Sequence, residues 1–258
     1  MKDFWGIGGY TRPADGFLSF EHLSFVTSLM VVMITLAVVL GLKYKSRPYE
    51  ERNKVLIVAA LLMDSLEIFK IVFMCIRSSD PMLWRYELPL FLCSIQLIAL
   101  PLAAFSKGRV KEATLDFVFI FGILGAVLGT YGAGNNYGSY PAICFDNVIS
   151  GLTHCIAGFA SLYIGISNMK SMKKRNIFSV FFILIAFCAA ANLANEILDY
   201  NYMFLVRGDG TPYEILYSLV NGHSVFYPLG VIVMFLVYIS AFYGIYYLAT
   251  GRKAEKKQ

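Results

Sequence analysis

Leu88-Pro89-Leu90-Phe91-Leu92-Cys93-Ser94-Ile95-Gln96-Leu97-Ile98-Ala99-Leu100-Pro101-Leu102 is apolar enough to enter a bilayer, yet it carries two prolines, a thiol, a hydroxyl and an amide. Read as a membrane span, it brings the apolar segments of the chain to seven. An odd count sets the two termini on opposite sides of the membrane. Pro89 falls near the first turn of the expected helix, where its missing N–H does little harm. Pro101, near the other end, is expected to kink or end the helix. Cys93 and Gln96 are three residues apart, which on a helix gives them a common face with Leu97 and Leu100. A helix that only faces lipid has no use for that polar face. The spacing therefore points Cys93 into a cavity, and the rest of the chain must supply its partner.

The surrounding composition agrees with a membrane protein. Of 258 residues, 58% are hydrophobic and only 15% charged, with a mean hydropathy of +0.63. A soluble domain of this length needs far more polar surface. No acidic or basic domain suggests a nucleic-acid partner. The five cysteines, Cys75, Cys93, Cys144, Cys155 and Cys188, show no CxxC or zinc-ribbon spacing and lie in or beside apolar segments. That argues against a disulfide framework, with Cys75–Cys144 the pair at neighbouring segment ends.

The expected fold is all-α and integral to the membrane, one polytopic domain over residues 1–258. A short head, 1–22, carries Phe4, Trp5, Tyr10, Phe17 and Phe20, aromatics suited to the water–lipid interface. Spans are read near 23–42, 55–76, 88–105, 115–131, 146–167, 177–198 and 225–249, followed by a basic tail, 250–258. The first run is too long for a signal-peptide core, and its cations follow it, so it reads as a retained helix.

Loop charges orient the bundle. Sixteen of the 22 Lys and Arg residues follow the first, third, fifth and seventh spans, against five on the opposite side and Lys70 inside the second. The positive-inside rule then puts the N-terminus outside and the C-terminus in the cytosol, with the chain multi-pass in the cell membrane. Small residues mark close helix contacts: Gly122, Gly125 and Gly129 in the fourth span, Gly158, Ser161 and Gly165 in the fifth, Ala190, Ala191 and Ala194 in the sixth. For these, packing is the preferred reading.

Polar groups inside the spans carry the functional argument, because an ionisable group near the bilayer centre costs at least ~2.5–3.5 kcal/mol. The second span has Asp64, Glu67 and Lys70, the third Cys93 and Gln96, the fifth His154. The sixth has Asn192, Asn195, Glu196 and Asp199 at i, i+3, i+4, i+7. On the stated orientation Cys93 lies roughly 7 Å and His154 roughly 12 Å below the outer surface. Glu67, Asn192 and Glu196 also fall in the outer half. Groups from four helices thus reach a similar depth, which independent packing accidents would not produce. Each has a plainer reading. A cysteine in an apolar helix is usually packing, Glu67 and Lys70 pair at i, i+3, and the sixth-span face suits interhelical hydrogen bonding. His22 and His223 lie at outer span ends, where solvent or headgroups satisfy them. Asp116 lies near a cytosolic helix start, where the dipole favours a carboxylate.

The chemistry that fits best is nucleophilic catalysis by Cys93 with His154 as base, since a thiol needs a nearby base to form much thiolate at neutral pH. A carboxylate, Glu67 or Glu196, is expected on the far ring nitrogen to fix the tautomer. Such a thiolate would meet lipid acyl esters and form an acyl-thioester, which a second lipid or water resolves. A zinc hydrolase built on His22, His154 and His223 lacks the HxxxH spacing that puts two ligands on one helical face. A transporter or receptor using the polar cavity as a ligand site remains the non-enzymatic alternative.

Leu88-Pro-Leu-Phe-Leu-Cys93-Ser, Thr153-His154 and Asn201-Tyr-Met-Phe-Leu205, in that order, resemble the YwaF-like bacterial membrane proteins, relatives of the transmembrane protein 164 acyltransferases. His22 and Glu67 also look like the family's pattern. The resemblance covers nearly the whole chain. It implies acyl transfer between phospholipids, with a phospholipid or lyso-phospholipid as substrate, no soluble cofactor and no metal. Carried over by position, Cys93 and His154 are catalytic; Glu67, Gln96, Asn192 and Glu196 are the supporting residues read from the polar groups within the spans. A lipid hydrolase with the same Cys/His pair is the alternative. Phe91 departs from the family's pattern, which often carries a polar residue there. Oligomeric state is not legible in the sequence.

Overall fold

The computed structural model describes residues 2–251, and all regular structure among them is helical. In chain order the helices are α1 (Lys2–Trp5), α2 (Phe20–Tyr44), α3 (Tyr49–Ser78), α4 (Gln96–Phe105), α5 (Gly108–Thr130), α6 (Gly134–Ser139), α7 (Phe145–Ile166), α8 (Lys174–Leu198), α9 (Tyr213–Leu219) and α10 (Phe226–Thr250). Among the described residues, five stretches are long and apolar enough to cross a membrane: α2, the run from α5 through α6, α7, α8 and α10. A lipid bilayer is the environment they fit. The tail cations Arg252, Lys253, Lys256 and Lys257 lie outside the described residues.

The other two expected spans differ from these five. α3 has 30 residues, about 45 Å at 1.5 Å per residue, but Asp64, Glu67 and Lys70 interrupt its apolar run. The helix expected over 88–105 covers only Gln96–Phe105, about 15 Å. Leu92–Ile95 instead forms turns. Pro89 disfavours helical backbone at Leu88. Side-chain bonds from Ser94 then compete with a helix: Phe91 N–H donates to Ser94 Oγ at 3.0 Å, and that hydroxyl donates to the Phe91 carbonyl at 3.1 Å. Cys93 therefore sits in a turn ahead of α4, not on a helical face with Gln96. At the other end α4 runs through Pro101 to Phe105. One missing hydrogen bond is tolerated where Leu100, Ala103 and Ala104 are buried against neighbours.

The chain divides into two compact units, Met1–Pro89 with Gln96–Lys170, and Leu90–Ile95 with Ser171–Gln258. In the first, α7 packs against α2 and α5, with α3 and α4 alongside. Small residues set the spacing. A Cβ at Gly122 would lie 2.5 Å from the Ala157 carbonyl, and one at Gly158 2.6 Å from the Ala126 methyl. Ser161 Oγ donates to the Phe119 carbonyl at 2.7 Å, so a polar side chain on α7 ties down α5.

Three cations of this unit also cap helix C-termini, where unpaired carbonyls attract positive charge. Arg52 donates to the Ser167 carbonyl at 2.9 Å, Lys170 to Gly165 at 2.7 Å, and Lys111 to Ala104 at 3.1 Å, beside Asn53 at 2.8 Å. The head docks at the opposite ends of α3 and α7. Arg77 makes a two-pronged pair with Asp146 at 2.9 and 3.0 Å and also donates to the Trp5 carbonyl at 3.1 Å. Tyr10 donates to Asp146 at 2.5 Å. Burial, then that carboxylate, pushes the Tyr10 phenol up. Trp5 packs on Phe73 and Phe145, so this aromatic binds protein, while Phe20 remains 80% exposed.

In the second unit α8 and α10 pack together, and α9 packs on α10. The loop after α8 is held by side chains that imitate backbone. Asn195 accepts the Tyr202 N–H at 2.5 Å and donates to the Tyr202 carbonyl at 3.1 Å. Asn201 accepts from Val206 and donates to the Arg207 carbonyl. These bonds hold Met203 and Phe204 at φ of 55° and 54°, which L residues otherwise avoid.

Candidate functional site

The predicted site residues divide between the units: His154, Glu67 and Gln96 belong to the first, Cys93, Asn192 and Glu196 to the second.

His154 is half-buried on α7. Its Nδ1 lies 2.6 Å from the Ser150 carbonyl, one turn earlier, and 3.5 Å from Ser150 Oγ. A carbonyl only accepts, so Nδ1 carries the proton and Nε2 presents its lone pair. The tautomer is thus set by backbone, where the sequence had suggested Glu67 or Glu196. The ring lies against α5 at Gly129. A Cβ there would come within 1.8 Å of Cδ2 and 2.1 Å of Nε2, so this glycine gives the imidazole its seat. Sequence reasoning took Gly129 for packing. The GxxxG spacing marked it as a close approach, but not what approaches.

Glu67 is buried and bound to Lys70 at 2.6 Å, and Lys70 also reaches Glu87 at 3.0 Å. The expected i, i+3 pair is therefore a triad that ties α3 to the residues just before Leu88. Glu87 was not legible as its third member, because the contact is long-range. Gln96 opens α4 at 1% exposure, and neither atom of its amide has a partner. A buried amide with no hydrogen bond is costly, about 1–3 kcal/mol, so Gln96 is a polar group for which the protein itself supplies no partner.

Two residues read as peripheral are not. His22 is fully buried. Its Nδ1 accepts the Leu18 N–H at 3.1 Å, its Nε2 donates to the Thr130 carbonyl at 3.0 Å, and its ring stacks on Tyr137 at 3.8 Å. Protein groups, not solvent or headgroups, satisfy it, because the head folds over it. Asp116 is also fully buried, about two turns into α5, too far from the first turn for the dipole account. His223 is exposed and accepts the Val225 N–H at 3.3 Å, at the start of α10.

In the second unit Cys93 is half-buried in its turn. Phe91 anchors that turn in an aromatic cluster, 5.3 Å from Tyr202, 5.7 Å from Phe204 and 6.3 Å from Tyr200. Phe91 is thus a packing residue of this cluster. On α8 the predicted polar face splits. Asn195 is buried in the Tyr202 lock, while Asn192 and Glu196 are exposed. All five cysteines are free thiols. Among the described residues, no three His, Cys, Asp or Glu side chains gather closely enough to hold a metal ion.

The sequence model of the TMEM164 family matches residues 17–249. No curated protein and no solved structure matches the chain.

Proposed function

The chain belongs to the TMEM164 family, and on that premise we propose that it is a membrane-embedded phospholipid acyltransferase working through an acyl-thioester on Cys93, with His154 as base. The observation that carries the reading is the His154 imidazole. Its Nδ1 is bound to the Ser150 carbonyl and its ring is seated on Gly129, an arrangement that supports Nε2 in the role of proton acceptor for a thiol. In the proposed cycle Nε2 takes the Cys93 proton and the thiolate attacks a phospholipid acyl ester. The lyso-lipid leaves, and a second lyso-lipid hydroxyl resolves the thioester. Glu67, Gln96, Asn192 and Glu196 are the proposed supporting residues. The proposed topology has seven spans, counting α3 and the broken segment 88–105, with the N-terminus outside and the C-terminus in the cytosol of a cell-membrane protein. The proposed kinship extends to the YwaF-like bacterial proteins.

The test is acyl trapping. The purified chain is incubated with a phospholipid bearing an alkyne-tagged acyl chain, and hydroxylamine-labile label is measured. We expect label on the wild type, none on Cys93→Ala and slow labelling of His154→Ala. Adding lyso-phospholipid should discharge the label into a diacyl product. Release as free fatty acid regardless of acceptor would make the protein a hydrolase. Absence of label with every donor would overturn the covalent reading.

A further inference from the structure

Tyr213 opens α9, in the same unit as Cys93. Its ring lies on Phe204 at 5.3 Å with 19° between planes, and edge-on to Phe235 at 6.2 Å. Phe204 packs in turn on Phe91, two residues before Cys93, and its carbonyl accepts from Tyr227 at 2.7 Å. This chain of rings packs Tyr213 onto the aromatic cluster that holds the Cys93 turn. Burial pushes the Tyr213 hydroxyl up to about 12, and the Cys93 thiol, Tyr227 and Cys188 add to it. A phenol in that range keeps its proton at neutral pH, so it serves as a hydrogen-bond donor and not as a base.

We propose that Tyr213 is a further catalytic residue, donating its O–H to the oxyanion formed when Cys93 attacks an acyl ester; this rests on the thioester reading above. In that step the thiol proton passes to His154 and an S–C bond forms. The carbonyl π pair moves onto oxygen, where the Tyr213 O–H meets it. Collapse re-forms the carbonyl, breaks the ester C–O bond and returns the proton to the departing lyso-lipid oxygen. A donor held rigidly by packed rings is pre-organised for that charge.

The test compares Tyr213→Phe, which keeps the ring stacking, with the wild type. Two readouts are taken on the full chain in detergent. One is the initial rate of hydroxylamine-labile labelling by the alkyne-tagged phospholipid. The other is alkylation of Cys93 by iodoacetamide, followed on its peptide by mass spectrometry. We expect labelling to fall about 10²-fold, the usual effect of removing one oxyanion donor, with alkylation unchanged because it forms no oxyanion. Equal labelling of variant and wild type would overturn the role of Tyr213 and leave the thioester reading standing. A parallel loss of labelling and alkylation would overturn it too, reducing Tyr213 to packing. An unlabelled wild type would end both proposals.

Discussion

His22 on α2 and His154 on α7 both reach the last turn of α5, one at the Thr130 carbonyl and the other against Gly129. His22 has a partner on each nitrogen, a stacked tyrosine and no exposure. It is a neutral cross-link between the start of α2, the loop before it and the end of α5. His154 spends one nitrogen on its own helix and turns the other toward the glycine that makes room for it. A buried and a half-buried imidazole at one helix end thus teach different things. His22 is tied to backbone through both ring nitrogens, whereas His154 meets backbone through Nδ1.

The largest expected effect separates the two by activity. His154→Ala should slow acyl labelling of Cys93 by about 10²–10⁴-fold, the range for loss of a general base, with the protein still folded by size-exclusion chromatography. The comparison breaks if His22→Ala does the same to the correctly folded protein. For His22→Ala the expected damage is to stability. It leaves the Leu18 N–H and the Thr130 carbonyl without their partner and opens a void under Tyr137, together about 2–4 kcal/mol. A thermal-unfolding measurement in detergent checks this, and an unchanged melting temperature would show that His22 is not the cross-link described.

Gly129→Ala sharpens the contrast, because it touches only one of the two histidines. The added methyl cannot coexist with the imidazole at 1.8 Å, so the ring must move. A misplacement of about 1 Å can cost up to 10²-fold in rate, and we expect labelling to drop by about 10–10²-fold. Gly125→Ala, one turn earlier on α5, serves as the packing control. If both variants label alike, the seat at Gly129 is ordinary helix packing.

Much of the helical layout was legible because apolar length alone defines a membrane helix: α2, α7, α8 and α10 lie within a few residues of the spans read from the sequence. The segment 88–105 was not, since Pro89 and the Ser94–Phe91 bonds act locally against a helix that hydropathy favours. His154 and Cys93 stood out by residue type. What surrounds them did not. The Ser150 carbonyl has no side-chain signature, Glu87 joins Lys70 only through the fold, and Tyr213 meets the Cys93 turn through a ring contact with Phe204. His22 was misjudged because its cover, the 18 residues before α2, was read as an interfacial head. Leu18, with φ of 62°, folds back to donate to it.

The smallest expected effect is the most diagnostic for the tautomer. Ser150 offers His154 Nδ1 two oxygens, a carbonyl at 2.6 Å and a hydroxyl at 3.5 Å. Only the carbonyl is close enough for a strong bond, and it survives substitution. Ser150→Ala should therefore change stability by less than about 0.5 kcal/mol and leave acyl labelling near the wild-type rate. A hydroxyl, unlike a carbonyl, can donate. If Ser150→Ala instead slowed labelling tenfold or more, the hydroxyl would be the group that orients the ring. It could then place its own hydrogen on Nδ1 and leave the proton on Nε2. His154 would face its glycine seat as a donor, like His22 at Thr130, and the difference between the two histidines would vanish.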